Sequence, residues 1–236
     1  MENSKRYLAA FYSIERHLKG LCNEDRHLTF YQMVERVAEK SPEVRRFKDD
    51  LKEFADLRNA IVHERSDGHI IAEPNIQAVE QLEMIQEIIK KPPRVYPFFQ
   101  AKVLSFDIHS PIAVAVEMMA KEAFSQAPVT EKDEFKALLT TDTIARWLGF
   151  NAKEDILSLN DTKIGDVLKC TEEKQNFKFI SKKQTILETI DLFHQFENSG
   201  RRLDAALITE NGNKKDKLIG IITLADFPKL LQKVSS

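Results

Sequence analysis

Thr223 and Asp226 are a hydroxyl and a carboxylate three positions apart, within Lys217–Leu231 (KLIGIITLADFPKLL). Leu218, Ile219, Ile221 and Ile222 form a short apolar run around Gly220. That run predicts a buried strand where backbone packs closely. Asp226 stands where an N-cap is expected, ahead of Phe227, Leu230 and Leu231, with Pro228 in the first turn. A carboxylate so placed can accept both hydroxyls of a ribose, and the helix N-terminus beyond it favours a phosphate. The plainer reading of Asp226 is a helix cap alone.

A second reactive set is Arg58 and His63, in Leu57-Arg58-Asn59-Ala60-Ile61-Val62-His63-Glu64. His63 titrates near neutrality and can move a proton, and Arg58 can hold phosphate oxygens bidentately. The stretch resembles the R-N-x-x-x-H motif of HEPN domains, helical bundles of which many are metal-independent ribonucleases. That resemblance covers about residues 4–91 and implies catalytic roles for Arg58 and His63 on an RNA substrate, in a cleft across a dimer. Five residues of ideal helix turn by about 500°, so the two side chains do not share a face. They converge only if the helix ends before His63 or if two protomers contribute. The alternative is structural: Arg58 pairs with Asp56 or another acid, and His63 caps the helix end.

Gly220-Ile221-Ile222-Thr223-Leu224-Ala225-Asp226 fits G-h-h-T-x-x-D, with h apolar, and resembles the ribose-binding signature of CBS domains. These are β-α-β-β-α modules that work in pairs. An internal repeat supports the resemblance. Ala137–Ile144 aligns with Gly220–Phe227, so Thr140 falls on Thr223, Thr143 on Asp226 and Ala137 on Gly220. Ser110-Pro111-Ile112 aligns with Gln184-Thr185-Ile186, each opening an amphipathic helix. Ala127-Pro128-Val129 and Ala205-Ala206-Leu207-Ile208 are matching short apolar runs, and Asn211-Gly212 marks a hairpin in the second copy. Thr162–Leu168 resembles the short helix that introduces a CBS unit. Residues from about 95 to 236 thus look like a tandem CBS pair, a Bateman module.

The CBS resemblance implies an adenine nucleotide (AMP, ADP or ATP) as regulatory ligand, bound in clefts between the repeats. By position, Thr223 and Asp226 would hold ribose and phosphate next to Ile222. Ala205 and Ala206 are small enough to let adenine lie against the strand. Thr140 and Thr143 are the counterparts in the first copy. Thr143 stands where an acid is expected, so that cleft should be weaker or empty. Lys182 and Lys183 are candidates to neutralise phosphates. A homodimer is expected through the CBS pair, and through the helical domain if its cleft spans two protomers.

These residues need two kinds of scaffold. Residues 1–91 read as an all-α four-helix bundle, HEPN-like. Its first helix carries Leu8, Phe11, Ile14 and Leu18, and its second Phe30, Met33, Val34 and Val37. The third opens at Ser41-Pro42 and runs through Phe47, Leu51, Phe54 and Ile61. The fourth starts at Pro74 and buries Val79, Leu82, Ile85 and Ile88. Lys91-Pro92-Pro93 opens a stiff linker over 92–97. CBS repeat 1 is placed at 98–160 and repeat 2 at 161–236, giving an all-α domain followed by an α/β pair.

Composition narrows the rest. The chain has 236 residues, 42% hydrophobic and 31% charged, with a net charge of −2. That is room for one large or two small domains, without a field that advertises nucleic acid. No apolar run approaches about 18 residues, so no membrane span is expected. The N-terminal stretch lacks a signal-peptide layout. Cys22 and Cys170 are far apart, so a cytoplasmic protein with buried thiols is expected. The six histidines show no ligand spacing, and no metal is expected. Three functions fit: a nucleotide-sensing regulator, a metal-independent ribonuclease controlled by the CBS pair, or a dimeric scaffold without ligand.

Overall fold

The computed structural model describes residues 2–23, 27–63, 65–66, 69–70, 73–100, 103–153, 157–171 and 176–234. The chain divides into two compact units. One comprises Met1–Pro93 with Thr185–Asp191 and Leu230–Ser236, the other Arg94–Gln184 with Leu192–Lys229.

The first unit is built on α1 (Glu2–Leu21), α2 (Phe30–Ala38), α3 (Pro42–Arg46), α4 (Lys48–His63) and α5 (Ile76–Lys90). Polar caps set the starts. Thr29 and Gln32 form a reciprocal capping box at α2, Ser41 caps α3 with Pro42 behind it, and Asn75 caps α5. Pro74 therefore precedes the cap instead of opening the helix. Tyr7, Phe11, Ile14 and Leu18 of α1 are fully buried with Leu51 and Ile61 of α4 and Leu82 and Ile85 of α5. The Tyr7 hydroxyl donates to the Phe54 carbonyl at 2.7 Å, which satisfies a polar group inside this core. Burial pushes the Tyr7 phenol well above its ordinary value.

The third helix expected from the sequence is two helices. Phe47 leaves the helical region, with φ −105° and ψ 19°, and α4 restarts at Lys48. Val44, Phe47 and Leu51 are buried on both sides of the break, so apolar spacing does not reveal it. Among the described residues of 1–91 there are thus five helices, not four. The turn after α4 carries a two-residue ladder of β1 (Arg65–Ser66) and β2 (His69–Ile70), which the helical periodicity did not predict.

The second unit contains two three-stranded mixed sheets. In the first, β3 (Phe106–Asp107) leads through α6 (Ile112–Lys121) to a parallel neighbour, β4 (Gln126–Glu131). β4 turns back antiparallel into β5 (Glu134–Thr140), and α7 (Thr141–Phe150) follows. The second sheet repeats the plan. After α8 (Ile164–Val167), β6 (Phe177–Ser181) leads through α9 (Ile186–Asn198) to parallel β7 (Ala205–Thr209). β8 (Leu218–Ile222) pairs antiparallel with β7 and runs through a 3₁₀ turn into α10 (Phe227–Gln232). This is the β-α-β-β-α order expected of each repeat.

Register makes the repeat residue-by-residue. Ala127 pairs with Leu139 in one sheet and Ala206 with Ile222 in the other. The ladder shifts between Val129 and Thr130 in β4, and between Ile208 and Thr209 in β7. Counting from those pairs, the two shifts occupy equivalent positions, and Thr140 and Thr223 each follow the same pairing site. The β4–β5 turn is Lys132-Asp133, both at positive φ (51° and 66°), the mirror-image turn that matches strand twist.

The sheets meet through Phe135 and Leu138 of β5, which pack with Ala205, Leu207, Phe177, Phe179, Leu218 and Ile221. Phe135 meets Phe177 and Phe179 edge-on, at 5.0 and 5.1 Å between ring centres. The short helix α8 joins the core of the first repeat, where Ile164 and Val167 pack with Phe106, Ile112 and Trp147. It thus packs on the first sheet's core as well as preceding β6 in the chain. The segment leading into it has a counterpart at the second repeat: Ile112 N–H donates to the Thr162 carbonyl at 2.8 Å, as Ile186 N–H does to that of Pro93 at 2.8 Å.

Candidate functional site

β8 ends at Ile222, and the backbone of Thr223 is extended (φ −128°, ψ 173°) before the chain enters the 3₁₀ turn Leu224–Asp226. Thr223, not Asp226, holds the cap position. The Thr223 amide donates to Asp226 Oδ2 at 2.9 Å, and its hydroxyl donates to the same oxygen at 3.2 Å. The Asp226 amide in turn donates to the Thr223 carbonyl at 3.0 Å. Asp226 Oδ1 stands 4.0 Å from Lys229 Nζ. The carboxylate is thus oriented through one oxygen, while the other faces a single lysine at the edge of contact. Thr223 and Asp226 are both half-buried, so the pair is held by protein yet reachable.

The first repeat has the same geometry with different chemistry. Thr140 caps α7 (φ −122°, ψ 158°), and its hydroxyl accepts from the Thr143 amide at 3.1 Å. The two hydroxyls lie 3.0 Å apart, and both residues are buried. Thr140 and Thr143 satisfy each other, and no carboxylate is offered there.

The remaining candidates are placed as follows. Ile222 and Ala206 face each other across the β7–β8 ladder, and both are fully buried. Ala205 is buried in the core between the sheets, against Phe135 and Leu138. Gly220 makes room for protein: a Cβ there would fall 2.3 Å from the Phe99 carbonyl oxygen. Lys182 follows β6 at the end away from Asp226. It pairs with Glu210 at 2.5 Å and lies 5.7 Å from the Tyr96 ring centre.

Sequence reasoning missed a cavity of about 970 Å³ at that far end of the strands. It is lined by residues including Tyr96, Lys132, Phe135, Lys182, Lys215 and Lys217. Its lining comes from four separate chain segments, so no local motif announces it.

In the first unit, Arg58 lies above two rings of α1, with its guanidinium carbon 5.5 Å from the Tyr12 centre and 5.8 Å from that of Phe11. Its Nη1 donates to Asn59 Oδ1 at 3.1 Å. Its Nε is buried without a hydrogen-bond partner. Asp56 does not take it: Asp56 Oδ1 accepts from the Tyr31 hydroxyl at 2.5 Å, and that bond raises the Tyr31 phenol above its ordinary value. His63 is the last residue of α4, and its side chain lies outside the described residues. Among the described residues, no group of three or more acids, histidines or cysteines could hold a metal ion, and no helix is long and apolar enough to cross a membrane.

No family model matches the chain, and no curated protein matches it. Solved structures similar to it include a CBS domain-containing protein of unknown function from Kribbella flavida. The two are 16% identical with a TM-score of 0.45, over 61% of this chain and 99% of that one. CbpB in complex with c-di-AMP is similar at 12% identity and a TM-score of 0.47, over 66% of this chain and 94% of that one. A conserved CBS domain protein of unknown function from Thermoplasma acidophilum is similar at 13% identity and 0.43, over 60% and 74%.

Proposed function

We propose that this chain is a homodimeric regulatory protein that senses an adenine nucleotide through a CBS pair and couples it to a HEPN-like helical domain. The proposed domains are the bundle at 1–91 and repeats at 98–160 and 161–236. Asp226 would accept ribose hydroxyls through Oδ1, with Thr223 holding the carboxylate in place; Ile222, Ala205 and Ala206 are fully buried and would back the site. The observation that carries the reading is the Thr223–Asp226 arrangement, which recurs at the equivalent position as Thr140–Thr143. A carboxylate oriented through one oxygen leaves the other for a ligand, whereas the paired threonines leave none. The first cleft would then bind weakly or not at all.

The test is calorimetry with AMP, ADP and ATP on protein stripped of endogenous ligand, beside Asp226→Asn. Binding that weakens in the variant supports the reading. Failure of all three nucleotides to bind would leave a scaffold without ligand.

One observation favours a second reading, metal-independent RNA cleavage by Arg58 and His63. Among the described residues Arg58 has no carboxylate partner, and its Nε is buried unpaired. A cation held by ring stacking and an amide keeps its charge for an incoming phosphate. The check is RNA cleavage in EDTA by wild type beside His63→Ala and Arg58→Ala. Equal activity, or none in any of the three, removes this reading.

A further inference from the structure

Helix α9 belongs to both compact units. Thr185–Asp191 fall in the first and Leu192 onward in the second. Within the first unit, its N-terminal end is held by three separate contacts. The Thr185 hydroxyl donates to Glu43 Oε1 at 2.7 Å. The Ile186 amide donates to the Pro93 carbonyl at 2.8 Å. Arg45 Nη1 meets Asp191 Oδ2 at 2.5 Å.

The Arg45–Asp191 pair is exposed, but the Glu43 contact is not. Glu43 is 7% exposed, and its carboxylate also takes the Ser41 hydroxyl at 2.9 Å. Thr185 is the cap of α9, because its hydroxyl accepts from the Glu188 amide and its own amide donates to Glu188 Oε2. Arg45 at the same time donates to the Ala38 and Glu39 carbonyls at the end of α2. One arginine and one glutamate of α3 thus tie α2, α3 and the start of α9 together.

The middle of α9 touches the residue that follows the candidate pair. Within the second unit, Phe193 meets the Phe227 ring edge-on at 5.1 Å, and His194 lies 6.3 Å from it. Phe227 is the residue after Asp226. Thr185 and Phe193 are eight residues apart, about 12 Å of helix.

We propose that α9 carries the state of the Thr223–Asp226 site to the helical bundle, with Thr185, Ile186 and Asp191 as its receiving end. This rests on the nucleotide-sensing reading and adds the element that performs the coupling. A ligand that shifts Asp226 displaces Phe227. A packed helix moves as a body, so the displacement is felt at the Glu43–Thr185 contact.

The experiment is backbone hydrogen exchange on the full chain, stripped of nucleotide, with and without AMP or ATP, alongside calorimetry with the same nucleotides. The expected result is a change of about fivefold or more in the exchange of residues 41–46 when the nucleotide binds. The near-isosteric double variant Glu43→Gln with Asp191→Asn should still bind but lose that change. Binding with no change at 41–46 in the wild type overturns the proposal and leaves the nucleotide reading standing. So does an undiminished change in the variant. No binding of either nucleotide overturns both, and the wild-type comparison decides alone if the variant does not fold.

Discussion

Thr223 directs both its amide and its hydroxyl onto one oxygen of Asp226, Oδ2, at 2.9 and 3.2 Å. That fixes the carboxylate without consuming Oδ1. In the first repeat the same two positions are threonines 3.0 Å apart that satisfy each other. On the nucleotide-sensing proposal, this single difference, acid against hydroxyl, is what would let the second repeat take a ribose and not the first.

Asp226→Asn should therefore weaken adenine-nucleotide binding by about 10- to 100-fold, the worth of a hydrogen bond to a charged group. Calorimetry measures it, and an unchanged affinity would remove Asp226 from the site.

Thr143→Asp should create what the first cleft lacks. Thr140 presents the cap hydroxyl to position 143, as Thr223 does to Asp226. A second, weaker binding event is expected in the same titration, and its absence would show that the first cleft is closed for another reason.

Gly220→Ala should destabilise the second unit by about 1–3 kcal/mol, because the added methyl meets the Phe99 carbonyl. Ala137→Gly, at the equivalent position, should cost less, about 0.5–1 kcal/mol from backbone entropy alone. Urea midpoints of the two variants make the comparison, and equal losses would contradict the close approach at Gly220.

Phe135→Ala removes the ring that lies between the two sheets against Phe177 and Phe179. A loss of about 3–5 kcal/mol is expected, and a tryptophan-fluorescence melt through Trp147 would follow it. A loss below about 1 kcal/mol would mean that the sheets do not depend on this ring.

Acid should weaken the first unit in two windows. Burial, and then Lys90, hold the His17 imidazole below its ordinary value. The unfolded chain takes up this proton near pH 6.5 while the folded chain resists it. The stability from this group is present above about pH 6.5 and falls as pH drops through that value. Ion pairing lowers Glu35, through Lys48 and Lys52, and Glu83, through Arg6. Their contribution is lost only as pH falls below about 4.5. The urea midpoint should thus fall between pH 7.5 and 5.5 in the wild type, and His17→Gln should flatten that step alone.

Much of this protein is written locally. The caps Thr29, Ser41 and Asn75 mark helix starts because their side chains bond amides three residues on. The two repeats are legible because strand-end threonines and matching apolar runs recur in the same order, and the ladder registers agree with that alignment. The Thr223–Asp226 pair is legible because three residues of turn bring both groups together.

What the sequence left open depends on residues distant along the chain. The break at Phe47 is invisible to periodicity because Val44, Phe47 and Leu51 all remain buried. Gly220 is glycine because the carbonyl of Phe99 lies against it, and no spacing rule relates those two positions. Lys182 is drawn toward Glu210 and Tyr96 by the direction of β6, away from the Asp226 end where it was expected to neutralise phosphates. Glu43 and Thr185 meet 142 positions apart. Local pattern determines which residues form helices, strands and caps, since those forces act within a turn or a pleat. Only packing decides which of them touch, because burial rewards contact without regard to distance along the chain.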